Sequence, residues 1–246
     1  MAIRKYVKKQ VKRAGKYVKK RYFKGKGYSN PKISTIARDV MRLKSIVNSE
    51  KQNAESTSTA THTLGQFNGA TTGFNSFALM PTIAQGVGED QRKGDSIKVC
   101  SWCLKIQAFN YGPDTVNDVN YKFYVVTQPV NPVGAATAGF QFLEANPFSG
   151  VIDSNSNRNY QHYKDFRVLG VISGKLKAMD DPSSTSARTN NHTLARKQEF
   201  HIRYQKGTTT IMNNDIYLIA VASDGDIATA NRCGFMYSFK VYYYDN

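Results

Sequence analysis

An all-β fold, an antiparallel double-sheet sandwich carrying a basic N-terminal arm and a short N-terminal helix, is predicted by three observations on this 246-residue chain. From about residue 76 the helical period disappears, and short runs rich in Tyr, Phe, Val and Ile recur between turn-forming residues. No strand–helix–strand alternation interrupts those runs, which argues against a parallel sheet. Charge is also segregated: residues 1–44 hold sixteen Lys and Arg against one acid, Asp39, a net of +15, whereas 45–246 hold eighteen bases and seventeen acids, a net of +1. Nearly all of the chain's +16 therefore sits in one terminal segment, as expected of a polyanion-binding arm on an electrically ordinary body.

The arm is assigned to residues 1–30. Twelve bases, Arg4, Lys5, Lys8, Lys9, Lys12, Arg13, Lys16, Lys19, Lys20, Arg21, Lys24 and Lys26, and no acid fill its first twenty-six positions. Val7, Val11, Ala14 and Val18 recur at helical spacing, so 3–23 forms a basic amphipathic helix once its charge is neutralised. Alone it is expected to be disordered, because Gly15 costs about 1 kcal/mol and like charges three and four apart repel. Residues 31–52 read as a helix. Asn30 is its N-cap and Pro31 its first residue; Ile33, Ile36, Val40, Leu43 and Val47 form the apolar stripe, and Lys32, Arg38, Arg42 and Lys44 a basic face. Residues 53–75, rich in Ser, Thr, Ala, Asn and Gly, read as a linker or weak edge strand, and 76–246 as the sandwich domain.

Strand candidates in that domain are Phe77–Ile83, Ser96–Asn110, Asn120–Gln128, Asp165–Ser173, Thr193–Gln205, Asp215–Ser223 and Cys233–Asp245. Asn110-Tyr111-Gly112-Pro113, Asn213-Asn214-Asp215 and Asp224-Gly225-Asp226 supply turns. The long intervals 129–164 and 178–192 read as loops. A body of about 200 residues is enough for one sizeable core without a second domain.

Several function classes are not supported. Three cysteines, Cys100, Cys103 and Cys233, make no disulfide framework and suit a reducing compartment. No apolar run follows the basic N-terminus, so no secretory signal is read, and Asn191-His192-Thr193 is taken as a chance sequon. The longest uncharged stretch, Val125–Leu143, contains Pro129, Asn131 and Pro132 and is no membrane span. His62, His162, His192 and His201 are scattered and stand beside no acid at metal-ligand spacing. Gly86-Val87-Gly88 is followed by Glu89 and Asp90, which would repel a phosphate. Cys100 and Cys103 are three apart, so on a regular strand they point to opposite faces and share a metal only across a bulge. Asp180-Asp181 and Asp224 with Asp226 could take Ca²⁺ between subunits, although a solvated turn is the favoured reading. The chain is not expected to be an enzyme, and no cofactor is expected.

The stretch Gln85-Gly86-Val87-Gly88-Glu89-Asp90-Gln91-Arg92-Lys93-Gly94-Asp95-Ser96-Ile97 resembles the lead-in to the first core strand of small single-jelly-roll capsid proteins. These are the coat proteins of satellite-tobacco-necrosis-virus-like particles and of small circular single-stranded DNA viruses. Phe142-Leu143-Glu144-Ala145 is similar to that family's mid-chain helix, and Tyr217-Leu218-Ile219-Ala220 and Phe235–Tyr244 to its last two core strands. The resemblance implies a single eight-stranded antiparallel jelly roll, a homo-oligomeric icosahedral T=1 shell of sixty copies and arms turned inward on the genome. It further implies a virion location and, for a DNA genome, the host nucleus during assembly. Arg92 and Gly94 are expected to serve a turn.

The function expected is thus that of a capsid protein that packages single-stranded nucleic acid, DNA rather than RNA, through counterion release by its arm. Lys8-Lys9 and Lys19-Lys20-Arg21 would double as a nuclear localisation signal read by an import receptor. Tyr6, Tyr17, Tyr22 and Phe23 either stack on bases or pack locally. The alternative class is a cellular nucleic-acid-binding architectural protein with a β body and a basic tail.

Overall fold

Alternation of apolar and polar residues along Ser96–Asn110 and Cys233–Asp245 builds the centre of a two-sheet antiparallel sandwich, seen in a computed structural model of the chain. The structure describes residues 51–66, 76–86, 91–110, 118–130, 132–177, 188–223 and 233–245. In chain order the elements are β1 (Lys51–Thr57), β2 (His62–Thr63), β3 (Ser76–Ala78), β4 (Ser96–Asn110), β5 (Val119–Gln128), α1 (Ala135–Phe142), β6 (Arg167–Leu176), β7 (Arg188–Arg196), β8 (Phe200–Tyr204), β9 (Ile211–Asn213), β10 (Asp215–Ala222) and β11 (Cys233–Asp245). Glu50–Asn246 forms one compact unit.

The larger sheet has seven strands in the order β1-β11-β4-β8-β9, with β2 also on β11 and β7 also on β4. Because β4 occupies one edge of β11, β1 and β2 lie in tandem along the other; β7 and β8 lie in tandem along the free edge of β4. The smaller sheet runs β3-β10-β5-β6. Asn214 turns β9 into β10 in the left-handed region (φ 61°), which a short polar side chain tolerates better than most.

Between the sheets lies the main core, which joins Val99, Leu104 and Ile106 of β4 and Phe235, Phe239 and Val241 of β11 to Phe123 and Val125 of β5 and Leu218 and Ala220 of β10. Each such side chain contributes about 1.5–3 kcal/mol on full burial. A second apolar cluster sits on the opposite face of the small sheet, where Val126, Tyr217, Ile219 and Val221 meet Ala138 and Phe142 of α1 and Leu143, Ile152 and Phe166 of the following loop. This explains why β10 is buried at every position after Asp215: its two faces pack into two different cores. At eight residues α1 is too short to hold itself and is kept by that packing.

The structure corrects several sequence expectations. The strand from Ser96 is not the first of the core, since β1, β2 and β3 precede it and β1 forms an edge of the large sheet. The helix over 31–52 lies outside the described residues except for Lys51 and Gln52, which are in β1; the sandwich therefore begins well before residue 76. The mid-chain helix ends where it was expected to start: Phe142 closes α1 and Leu143 is extended (φ −115°, ψ 146°). Phe77–Ile83 contributes only β3, and Thr193–Gln205 is two strands, the first of which reaches back into the expected loop at Arg188.

Candidate nucleic-acid interface

The twelve arm bases, the Tyr and Phe residues among them and residues 31–50 behind them lie outside the described residues. In the chain they precede Lys51, the first residue of β1, which is an edge strand of the large sheet.

Among the described residues, that sheet has one face in the main core and one uncovered, whereas the small sheet is covered on both. Register fixes what the open face presents. Across one row stand Lys51, Tyr244, Lys98 and His201; on the next come Asn53, Tyr242 and Ser101; then Glu55, Lys240 and Cys103; then Thr57, Ser238, Lys105 and Thr193. Arg203, opposite Ser96, extends the first side of this surface. Five cations, Lys51, Lys98, Lys105, Arg203 and Lys240, thus share the face and its margin with two carboxylates, Glu55 and Glu199. Tyr242 lies between two of the cations, with Lys51 Nζ 5.0 Å and Lys240 Nζ 5.8 Å from its ring centroid.

Both carboxylates are held below the usual carboxylate range. For Glu55 the main cause is the hydrogen bond donated by the Ser238 hydroxyl (2.7 Å), with Lys240 and Lys105 adding to it. For Glu199 it is the Lys98 ammonium at 2.5 Å. Toward the far end of the face a depression of about 400 Å³ opens, lined among others by Lys105, Gln107, Asn191, Met236 and Ser238. A cationic sheet surface with aromatic rings and amide-bearing side chains can hold a flexible polyanion with unpaired bases.

The remaining sequence candidates are built into the body. Arg92 is fully buried and donates to the carbonyls of Gly94 and Thr208, while its guanidinium lies 4.2 Å from the Tyr204 ring centroid and 3.8 Å from Asp95 Oδ1. It pins the turn it was expected to serve onto a hairpin far away in sequence. The amides of Lys93 and Gly94 donate to the Asp245 carboxylate at 2.5 and 3.4 Å, which ties the same turn to the end of β11. Burial pushes the Tyr204 phenol well above its usual value.

His62 is half-buried against Phe77, Phe235 and Tyr237, His192 meets the Tyr121 hydroxyl, His162 lies 2.9 Å from Asp165, and His201 stands on β8. Burial lowers the pKa of His62 and of His192. The cysteine pair behaves differently from the regular-strand expectation. A register shift opposite Tyr242 and Tyr243 leaves Cys100 as an extra residue, and the buried positions change from Ile97 and Val99 to Trp102 and Leu104. Cys100 and Cys103 therefore share the outward phase, and both are partly exposed free thiols. Among the described residues no three His, Cys, Asp or Glu side chains stand close enough to hold a metal ion, and no helix is long and apolar enough to cross a membrane. Residues 87–90 of the glycine stretch and the acid pairs Asp180-Asp181 and Asp224 with Asp226 lie outside the described residues.

No family model matches the chain, and no curated protein matches it. Among solved structures, a chain of the T13 IBDV viral particle, from a crystal structure described as revealing a missing link in the evolution of icosahedral viruses, is similar with 8% identity and a TM-score of 0.26. The match covers 78% of this chain and 31% of that one, so this chain spans about a third of its neighbour's length.

Proposed function

We propose that the protein is a viral capsid protein whose body is an eight-stranded jelly roll, whose copies close an icosahedral shell, and whose arm packages single-stranded nucleic acid. The observation that carries this reading is the strand order. When the tandem pairs β1 with β2 and β7 with β8 are each taken as one strand and β9 as an extension of the latter, the sheets read 1-8-3-6 and 2-7-4-5. Every connection except that from 4 to 5 then passes from one sheet to the other, which is the winding of a jelly roll, an architecture shared by viral shells, lectins and cupins. Charge segregation favours the shell over the other two: cupin chemistry needs a His cluster, and lectin activity gives no reason for a +15 leader.

The mechanism is electrostatic. Arm lysines and arginines displace condensed counterions from phosphates, so binding is strong at low salt and largely independent of sequence. Sixty arms of net +15 would bring on the order of 900 positive charges inward, a large fraction of the charge of a genome of one to two thousand nucleotides. Single-stranded DNA as cargo, a virion location and passage through the nucleus on the Lys8-Lys9 and Lys19-Lys20-Arg21 clusters belong to the same proposal.

Sedimentation and electron microscopy of the purified protein, with the ratio of absorbance at 260 and 280 nm, test it. Closed particles carrying nucleic acid are expected; a monomer at every salt concentration would overturn the shell and favour a cellular architectural protein. Deleting residues 1–26 should leave a folded body and remove the nucleic acid, and unchanged nucleic-acid content in that variant would refute the arm's role.

A further inference from the structure

We propose that the open face of the large sheet is itself a binding platform for single-stranded nucleic acid, in which Tyr242 and Tyr244 stack on bases and Lys51, Lys98, Lys105, Lys240 and Arg203 contact phosphates. The inference deepens the packaging reading and rests on it for the source of the strand, but it assigns a second surface, outside the arm.

Four observations carry it. The face is cationic, five bases against two carboxylates, so it complements a polyanion and repels an identical copy of itself. Met212 on the β9 edge and Met236 are the large hydrophobic residues exposed on this sheet among the described residues, two separated side chains that offer too little apolar surface for a lipid bilayer or a dry protein interface. Tyr242 and Tyr244 occupy alternate positions of one strand, about 6.8 Å apart. That is twice the 3.4 Å step between stacked bases of one DNA strand, so both rings can be reached by one stretched single strand. Finally, residues 1–44, with a net charge of +15, are followed after six residues by the edge strand β1 of this sheet, so a strand that they bind is tethered to the body at high effective concentration.

Unpaired bases are required, because a duplex hides its ring faces and offers only phosphates to such a surface. On binding, the Lys51 and Lys240 ammonium groups that now flank Tyr242 exchange the ring for phosphate oxygens, which leaves the ring to the base. The strand then runs along β11 toward the 400 Å³ depression, where Gln107 and Asn191 can both donate to and accept from base edges.

The test uses the full chain, with oligo(dT) and an abasic strand of the same length as probes, read by fluorescence anisotropy at about 0.15 M salt. The wild type should bind oligo(dT) at least tenfold more tightly than the abasic strand, roughly one ring's worth of stacking. The double variant Tyr242→Leu/Tyr244→Leu should lose most of that preference, and Tyr242→Phe/Tyr244→Phe should keep it. Lys51→Gln/Lys240→Gln should weaken both probes alike and reduce the slope of log affinity against log salt by about 1.4, or about 0.7 per phosphate contact on a single strand. Photocrosslinking of the unaltered protein to a halogenated oligonucleotide should label Tyr242 or Tyr244, which tests the site without any substitution. A leucine variant with undiminished preference, or crosslinks confined to residues 1–44, would overturn the platform. Sedimentation of the same samples separates the two ideas: particles without a base preference sink the platform alone, whereas absence of particles sinks the shell.

Discussion

Arg92→Ala tests how the lead-in to β4 is held. The guanidinium has no solvent exposure, and its strongest partners are two carbonyls, those of Gly94 and Thr208. Truncation removes two hydrogen bonds from a cation, about 1.5–3 kcal/mol each, and the stacking on Tyr204, on the order of 1–2 kcal/mol. Relief of the guanidinium's desolvation returns several kcal/mol of this, so the net loss should be about 3–5 kcal/mol, as when one partner of a buried ionic contact is deleted. Arg92→Lys keeps the charge but cannot fork to both carbonyls, and should cost about 2 kcal/mol. Urea unfolding gives both numbers from the shift in midpoint at constant m. Hydrogen exchange of the Lys93 and Gly94 amides, which donate to Asp245, should accelerate in step. The loss should persist in 0.5 M salt, about where exposed ion pairs are screened, because the bonds are buried and end on carbonyls. An alanine variant within about 1 kcal/mol of wild type would refute the reasoning, since that is the range of a surface ion pair with the half-exposed Asp95.

Three further outcomes are expected. Gly174→Ala would place a Cβ 2.3 Å from the Tyr121 hydroxyl oxygen and 2.5 Å from its Cζ, so that ring must move off His192 and Asn190; a loss of about 1–3 kcal/mol in a denaturant titration is expected. Tyr217→Phe removes the hydroxyl that donates to the Val133 carbonyl beneath α1, and should cost about 1–3 kcal/mol while hydrogen exchange in 135–142 rises more than in β4. The third concerns pH. Burial holds His62 and His192 below their usual 6.5, so the folded body binds fewer protons than the unfolded chain in the window beneath that value. Their stabilising contribution is whole above pH 6.5 and is lost as pH falls through the lowered values; Asp215, raised by burial, contributes in the opposite sense as it takes up its proton. The melting temperature should therefore drop between pH 7.5 and 5.5, and His62→Phe/His192→Gln should flatten that slope.

Much of the fold was readable because β4 and β11 are long runs rich in β-branched and aromatic residues with alternation over most of their length, so their bounds, Ser96–Asn110 and Cys233–Asp245, stand out between turn-forming residues. β1 was harder. Its Lys-Gln-Asn-Ala-Glu-Ser-Thr sequence has weak strand propensity, and it is a strand because its backbone pairs with β11 from Lys51↔Tyr244 to Thr57↔Ser238. The helix in 129–164 was displaced because Ala135–Phe142 has no capping side chain and no charge to mark its ends; packing against Tyr217 and Ile219 selects it. The basic face left one trace in the sequence, the alternation of Ser238, Lys240, Tyr242 and Tyr244 with Phe239, Val241 and Tyr243, yet it reads as ordinary strand sequence until the neighbours are known.

The sequence by itself determined the sandwich class, the positions of its longest strands and the concentration of charge in the first 44 residues, because periodicity and net charge are sums over local residues. Tertiary structure decided which sheet stays bare. β10 and β11 are equally strand-like, but α1 and its loop cover the outer side of the sheet that holds β10 and nothing among the described residues covers that of β11. It also decided that Lys51, Lys98, Lys105, Arg203 and Lys240, spread over some 190 positions, share one surface, since strand registers bring together side chains that no local pattern relates.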